Sequence, residues 1–198
     1  MPPRKHQELL TAAVERDAAA QEALLAGDRD AARAAFAAAS GLYRKSWEEA
    51  SPTAYGRLVG MLKSAVLAGG AASEARYVRE ALLDASPESQ TASYAQALAA
   101  LILDEDDDAQ MWAGRMGAGT DAFGRAADAI AAIAARDPGR YAVALGAIVR
   151  DFEQRSEHLT GVAIADTALV LEVLAAPRGM AAGLQSPVLP ALRARPPH

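Results

Sequence analysis

Apolar residues recur along most of the chain at three- and four-residue intervals, the spacing that lines one face of an α-helix. Ala32, Ala35, Phe36, Ala39, Tyr43 and Trp47 follow it, as do Tyr55, Leu58, Val59, Leu62, Ala65 and Val66, and again Tyr141, Leu145, Ile148, Val149 and Phe152. No segment of five or more residues bounded by turn signals alternates with the period of two that marks a strand. The punctuation agrees. Ser51-Pro52, Ser86-Pro87 and Asp137-Pro138 each set a capping side chain before a proline suited to the first helical position, and Gly27-Asp28, Gly69-Gly70 and Gly117-Ala118-Gly119-Thr120 supply further stops and starts. The pattern predicts helices over 4–26, 29–50, 52–68, 73–84, 87–103, 105–116, 121–136, 138–158 and 162–176. Short connections lay consecutive helices roughly antiparallel. The expected fold is therefore all-α, about nine antiparallel helices arranged as an α-α superhelix or as an irregular bundle. Residues 1–176 form its single domain. Residues 177–198, with Pro187, Pro190, Pro196 and Pro197, form an irregular C-terminal segment with a frayed end.

Composition sharpens this picture. The 198 residues are 52% apolar and 23% charged, a globular balance, but only 5% are aromatic and about a quarter are alanine. Alanine is the best helix former and lets helices approach closely, so the core is built from many small contacts and must be tightly packed. The absence of cysteine excludes disulfides and thiolate metal sites and suits a reducing compartment. The first residues carry basic groups with no apolar run behind them, unlike a signal peptide. The most apolar window, Val162 to Ala176, is too short to span a bilayer and carries Asp166 and Glu172. A cytoplasmic protein is expected. A net charge of −5 disfavours nucleic acid and anionic membrane surfaces and is compatible with a basic protein partner.

Two resemblances bear on architecture and function. Gly27-Asp28-Arg29-Asp30-Ala31-Ala32, followed by Phe36 and Ala39, resembles the inter-helix turn and second helix of a tetratricopeptide repeat. Ala32, Phe36 and Ala39 fill its small, aromatic and small positions. The resemblance implies a stack of helical hairpins that binds peptides or protein surfaces on one face. Departures are plain: Arg16 and Ala20 replace the family's Trp and Gly, and Arg79 stands where the next repeat would carry its aromatic. Arg136-Asp137-Pro138, Phe152, Asp166-Thr167-Ala168-Leu169, Leu174 to Met180, Ser186-Pro187 and Leu189-Pro190 resemble the C-terminal part of an all-helical immunity-protein family of bacterial polymorphic toxin systems. That resemblance covers about a third of the chain and implies neutralisation of a cognate toxin by direct contact.

Candidate chemistry is sparse. The run Asp104-Glu105-Asp106-Asp107-Asp108 reads as a helix start whose carboxylates complement the macrodipole, or as a patch for a basic partner; it lacks the glycine turn and ligand spacing of a calcium loop. Gly117 to Ala122 matches a loose dinucleotide fingerprint, but no strand precedes it. His6, His158 and His198 belong to no catalytic motif. Asp166 stands out, a carboxylate inside a helix apolar on nearly all sides. It needs a donor, for which Arg150, Arg155 and Arg178 are the candidates nearest in sequence. Tyr43, Arg44 and Trp47, and Trp112 beside Arg115, combine the residue types that dominate protein interfaces. The expected function is a protein–protein interaction module, and more narrowly an immunity-type inhibitor that occludes its partner. Its expected partner-binding residues are Tyr43, Arg44, Trp47, Asp104, Glu105, Asp106, Asp107, Asp108 and Trp112. No cofactor, metal or catalytic residue is expected. The alternatives are a small helical enzyme with an acidic site between helices, centred on 104–108, and a self-associating homodimer.

Overall fold

The computed structural model describes residues 4–83, 89–117 and 121–190, and every regular element in them is a helix. The caps expected at Ser86-Pro87 and Thr120, Ala118 and Gly119 of the dinucleotide-like motif, His198, Pro196 and Pro197 lie outside these residues. In chain order the helices are α1 (Lys5–Leu25), α2 (Arg29–Glu48), α3 (Gly56–Ala68), α4 (Ala72–Ala81), α5 (Gln90–Ile102), α6 (Asp106–Met116), α7 (Asp121–Ala134), α8 (Pro138–Glu153) and α9 (Asp166–Ala175), with a 3-10 turn at Ala176–Arg178.

The punctuation works as its chemistry requires. Gly27 takes a left-handed φ of 81° that ends α1, and the Asp28 carboxylate accepts from the Ala31 N–H at 3.0 Å to start α2. Asp137 does the same for Arg140 at the start of α8, with Pro138 at the first helical position. Ser51-Pro52 is different: Ser51 bonds Thr53 in a turn, and α3 begins only at Gly56.

Consecutive helices pack against one another throughout, and α9 also returns to touch α3 and α7. This return closes the C-terminal end of the fold onto its N-terminal half, a contact that a purely one-dimensional stack lacks. The most enclosed helix is α5, in which all ten residues from Ala92 to Leu101 are buried among α3, α4, α6 and α7. The most apolar window of the sequence, 162–176, is less enclosed, since in α9 Thr167, Glu172 and Val173 are only half-buried. Phe36 is buried in a smaller cluster with Ala20, Leu24, Ala32, Ile164 and Leu169, so the aromatic of the first hairpin shares its core with the C-terminal helix.

Two boundaries depart from the periodicity. The eighth helix stops at Glu153, so His158 lies in a loop, stacked on Phe152 with ring centroids 6.1 Å apart, and shares no helix face with Glu153 and Glu157. Residues 162–165 are not helical: the Ile164 N–H closes a tight turn onto the Val162 carbonyl, and the Ala165 N–H donates to the Val188 carbonyl at 2.8 Å, which pins the approach to α9 against the C-terminal segment. Within the described residues 179–190 this segment forms no helix and is docked. Met180 and Val188 are buried, and the Glu172 carboxylate accepts from the Ala182 and Gly183 N–H groups and from the Tyr141 hydroxyl.

Candidate functional site

A cleft of about 840 Å³ opens between α1–α3 on one side and α5, α7, α8 and the 158–167 segment on the other. Val14, Val59, Phe123, Ile148 and Ile164 are among its apolar walls. Its position follows from the boundaries above. Because α8 stops early and α9 starts late, the loop between them passes over the α1–α3 side, where the Thr160 hydroxyl donates to the buried Gln21 side chain of α1 at 2.5 Å.

The floor carries a coupled polar cluster drawn from five helices. Asp17 of α1 accepts a hydrogen bond from the Tyr43 hydroxyl and one from the Ser64 hydroxyl, each at 2.8 Å. Burial raises the Asp17 carboxyl above its ordinary 3.8, and these two bonds and the charge of Lys63 only partly offset it. Lys63 of α3 pairs with Asp166 at the start of α9 and donates to the Thr167 hydroxyl at 3.2 Å. Burial is the largest single influence and disfavours the Lys63 ammonium, but Asp166 together with Tyr94 and Asp17 outweighs it and the net shift is upward. Tyr94 of α5 is 8% exposed, and its hydroxyl oxygen is buried beside Thr167 without a well-formed hydrogen bond among the described residues. Burial pushes the Tyr43 and Tyr94 phenols up, so both remain neutral. The α2–α3 contact that holds Tyr43 here depends on Gly60, where an added Cβ would stand 2.8 Å from two ring carbons of Tyr43.

Nearer the rim, Arg57 donates to the Ser46 hydroxyl at 2.8 Å and contacts the His6 Nδ1 at 3.1 Å. Asp151 is paired with both Arg125 at 2.7 Å and Arg155 at 2.5 Å. Leu159 stands 84% exposed on the lining.

The expected site residues divide. Tyr43 lines the cleft, but as a buried group that positions Asp17. Arg44 lies over the Tyr77 ring at 4.0 Å and pairs with Glu48, and the half-buried Trp47 packs against Tyr55 with centroids 6.0 Å apart. Trp112 lies under Arg115 at 4.5 Å and, with Glu105, lines a second, smaller pocket next to Arg79.

The acidic run 104–108 does not reach the main cleft. Asp104 and Asp106 pair with Arg178, Asp106 also with Arg136, and Glu105 and Asp108 with Arg79. Arg178, its side chain only 4% exposed, further donates to the Leu101 and Leu174 carbonyls at 3.0 Å each. Burial would raise the Asp106 carboxyl, but the hydrogen bonds from Arg136 and Arg178 prevail and hold it below 3.8. Asp104 and Arg136 both take left-handed backbone conformations, φ 60° and 57°, at the turns this clip fastens.

Asp166 is also placed differently from the sequence reading. It begins α9 rather than lying inside it, and its donor is Lys63, not Arg150, Arg155 or Arg178. The sequence reading passed over Asp17 and Lys63 altogether. The signal for Asp17 was present, since Leu10, Ala13, Asp17, Ala20 and Leu24 run at helical spacing and put a carboxylate on the apolar stripe of α1.

Among the described residues there is no group of three or more His, Asp or Glu side chains disposed to hold a metal ion, and no helix is long and apolar enough to cross a membrane. No protein-family model matches the chain, and neither a curated protein nor a solved structure shows significant similarity to it.

Proposed function

We propose that the chain is a protein-binding module that takes a segment of its partner into the cleft between α1–α3 and the C-terminal half. The observation that carries this reading is the cleft itself. It is about 840 Å³, open along one side, apolar on its walls, rimmed by the exposed Leu159 and floored by charged groups. Concave apolar surface with a few convergent polar groups is where proteins take up ligands. Helix pairs with short connections supply the rigid walls. The narrower reading, an inhibitor that occludes a toxin, rests on the resemblance of the C-terminal third. A second reading, a small helical enzyme, is favoured by the raised Asp17 carboxyl and moves the catalytic centre from 104–108 to the cleft floor.

Co-purification with the product of a neighbouring toxin-like reading frame, followed by titration of variants, tests the proposal. Leu159→Glu is expected to weaken the complex about tenfold or more, since a charge replaces an exposed apolar contact. Its melting temperature should match the parent's. Asp107→Asn, at an exposed position of the acidic run with no ion pair among the described residues, should bind as the parent does. Loss of binding in Asp107→Asn with none in Leu159→Glu would place the interface on the acidic run and overturn the cleft.

A further inference from the structure

Four cationic side chains and three carboxylates line the cleft, and most of them cancel. Lys63 stands between two acids, paired with Asp166 and close enough to Asp17 to favour its charged form. Asp151 stands between two guanidiniums, those of Arg125 and Arg155. The first group has an acid to spare and the second a cation, so together they balance. The cation left over is Arg57. It belongs to the first turn of α3, which holds no acidic residue, and it has no carboxylate partner among the described residues. Its Nε donates to the Ser46 hydroxyl and its Nη2 to the His6 Nδ1, neither of them an anion. Nη1 has no acceptor among the described residues. A guanidinium fixed along one side, with its other edge open, is shaped for a carboxylate.

We infer that Arg57 receives an acidic side chain of the partner segment that enters the cleft. The inference rests on the cleft being the partner site and adds the chemistry recognised there. A space of about 840 Å³ is far larger than one carboxylate. The acid therefore arrives with neighbours that fill the apolar lining, to which Tyr55 and Val59 contribute next to Arg57 in the chain. The bonds to Ser46 and His6 hold the guanidinium before the partner comes, so little side-chain freedom is lost on binding. The chain's net charge of −5 does not decide the sign here. Four acids of the run 104–108 are paired away from the cleft, and the groups lining the cleft sum to a surplus cation.

The test uses the full-length chain labelled with ¹⁵N and three probes of similar shape, sodium hexanoate, 1-hexanol and n-hexylamine, at pH 7. Hexanoate is expected to bind about tenfold more tightly than either, the difference made by a charge-assisted bond to the half-buried Arg57. Its shifts should fall on the 53–60 amides. Arg57→Gln should bring hexanoate down to the affinity of hexanol. Arg57→Lys, which keeps the charge and loses the fork, should weaken hexanoate about threefold and leave hexanol alone. N-acetyl-glutamate methylamide should reproduce the hexanoate shifts, and its glutamine counterpart should not.

If hexanol binds in the cleft as well as hexanoate does, or hexylamine binds better, the inference is overturned while the cleft stands. A preference for hexanoate that survives in Arg57→Gln would overturn it too, and if that variant fails to fold, unchanged hexanoate binding by Arg57→Lys does the same. If no probe shifts a cleft residue, the partner site itself falls. If hexanoate binds and the glutamate amide does not, the group received is a free carboxylate and a protein side chain is the wrong source.

Discussion

At the start of α6, four carboxylates of the run 104–108 meet three arginines brought from α4, the α7–α8 turn and the C-terminal turn, whereas at the floor of the cleft two carboxylates share one lysine. The first group is the densest charge in the sequence, and each of these four carboxylates has an ion pair within the fold. The second is two aspartates 149 positions apart, of which Asp166 is paired with Lys63 while Asp17 takes its hydrogen bonds from the neutral hydroxyls of Tyr43 and Ser64. Charge density in a sequence is therefore a poor guide to a binding site. What matters is whether the chain supplies the countercharges, because a carboxylate already paired and hydrogen-bonded gains little from a partner.

The sharpest way to break this contrast is Arg178→Ala. It strips Asp104 and Asp106 of a shared cation and leaves the Leu101 and Leu174 carbonyls short of a donor. Leaving a buried carbonyl without its donor costs about 1–3 kcal/mol, and the lost ion pairs add little, because Asp104 is exposed and Asp106 keeps Arg136. Urea titration should show a loss of that size. A loss under about 1 kcal/mol would mean that the run is a solvated helix start.

Gly60→Ala comes next. The new methyl meets the rigid Tyr43 ring, and overpacking of this kind costs about 1–3 kcal/mol. Because the ring must move, its hydroxyl is expected to leave Asp17, and partner affinity should change along with the stability. Stability loss with unchanged partner binding would detach Tyr43 from the site.

The smallest effects carry opposite signs. Asp106, held below 3.8, contributes stability that is complete above that value and is lost as pH falls through its lowered folded pKa. Asp17, raised above 3.8, contributes in the other direction: its stabilisation is complete below 3.8 and is lost as pH rises through its folded value. Denaturant melts from pH 2 to pH 7 should therefore show Asp106→Asn destabilised chiefly at neutral pH, and Asp17→Asn equal to or more stable than the parent there. If Asp17→Asn is markedly destabilised at pH 7, the floor is already balanced in the free protein.

How much of this could be read beforehand follows the range of the interactions. The nine helices among the described residues were all legible, because apolar spacing and caps such as Asp28 and Asp137 act over a few residues. The late start of α9 was not, since residues 162–165 look helical in isolation and are held out of the helix by Val188, more than twenty positions on. Asp166 was recognisable as a carboxylate in need of a donor, but Lys63 lies about a hundred residues away, and neighbours in sequence were the only donors on offer. The clip was hidden in the same way, because Arg79, Arg136 and Arg178 come from three separate elements. Asp17 and Lys63 were the legible misses. Each interrupts an apolar helical face, and a charge on such a face is a stronger pointer to a site than a run of five acids at a helix start.

Amide hydrogen exchange with and without the bound partner tests the central contrast most directly, since it reads the cleft and the acidic run in one experiment. Protection is expected to rise at 53–60 and 158–167, on either side of the cleft mouth, with 104–112 exchanging as in the free protein. Added protection confined to 104–112, with the cleft segments unchanged, would contradict it.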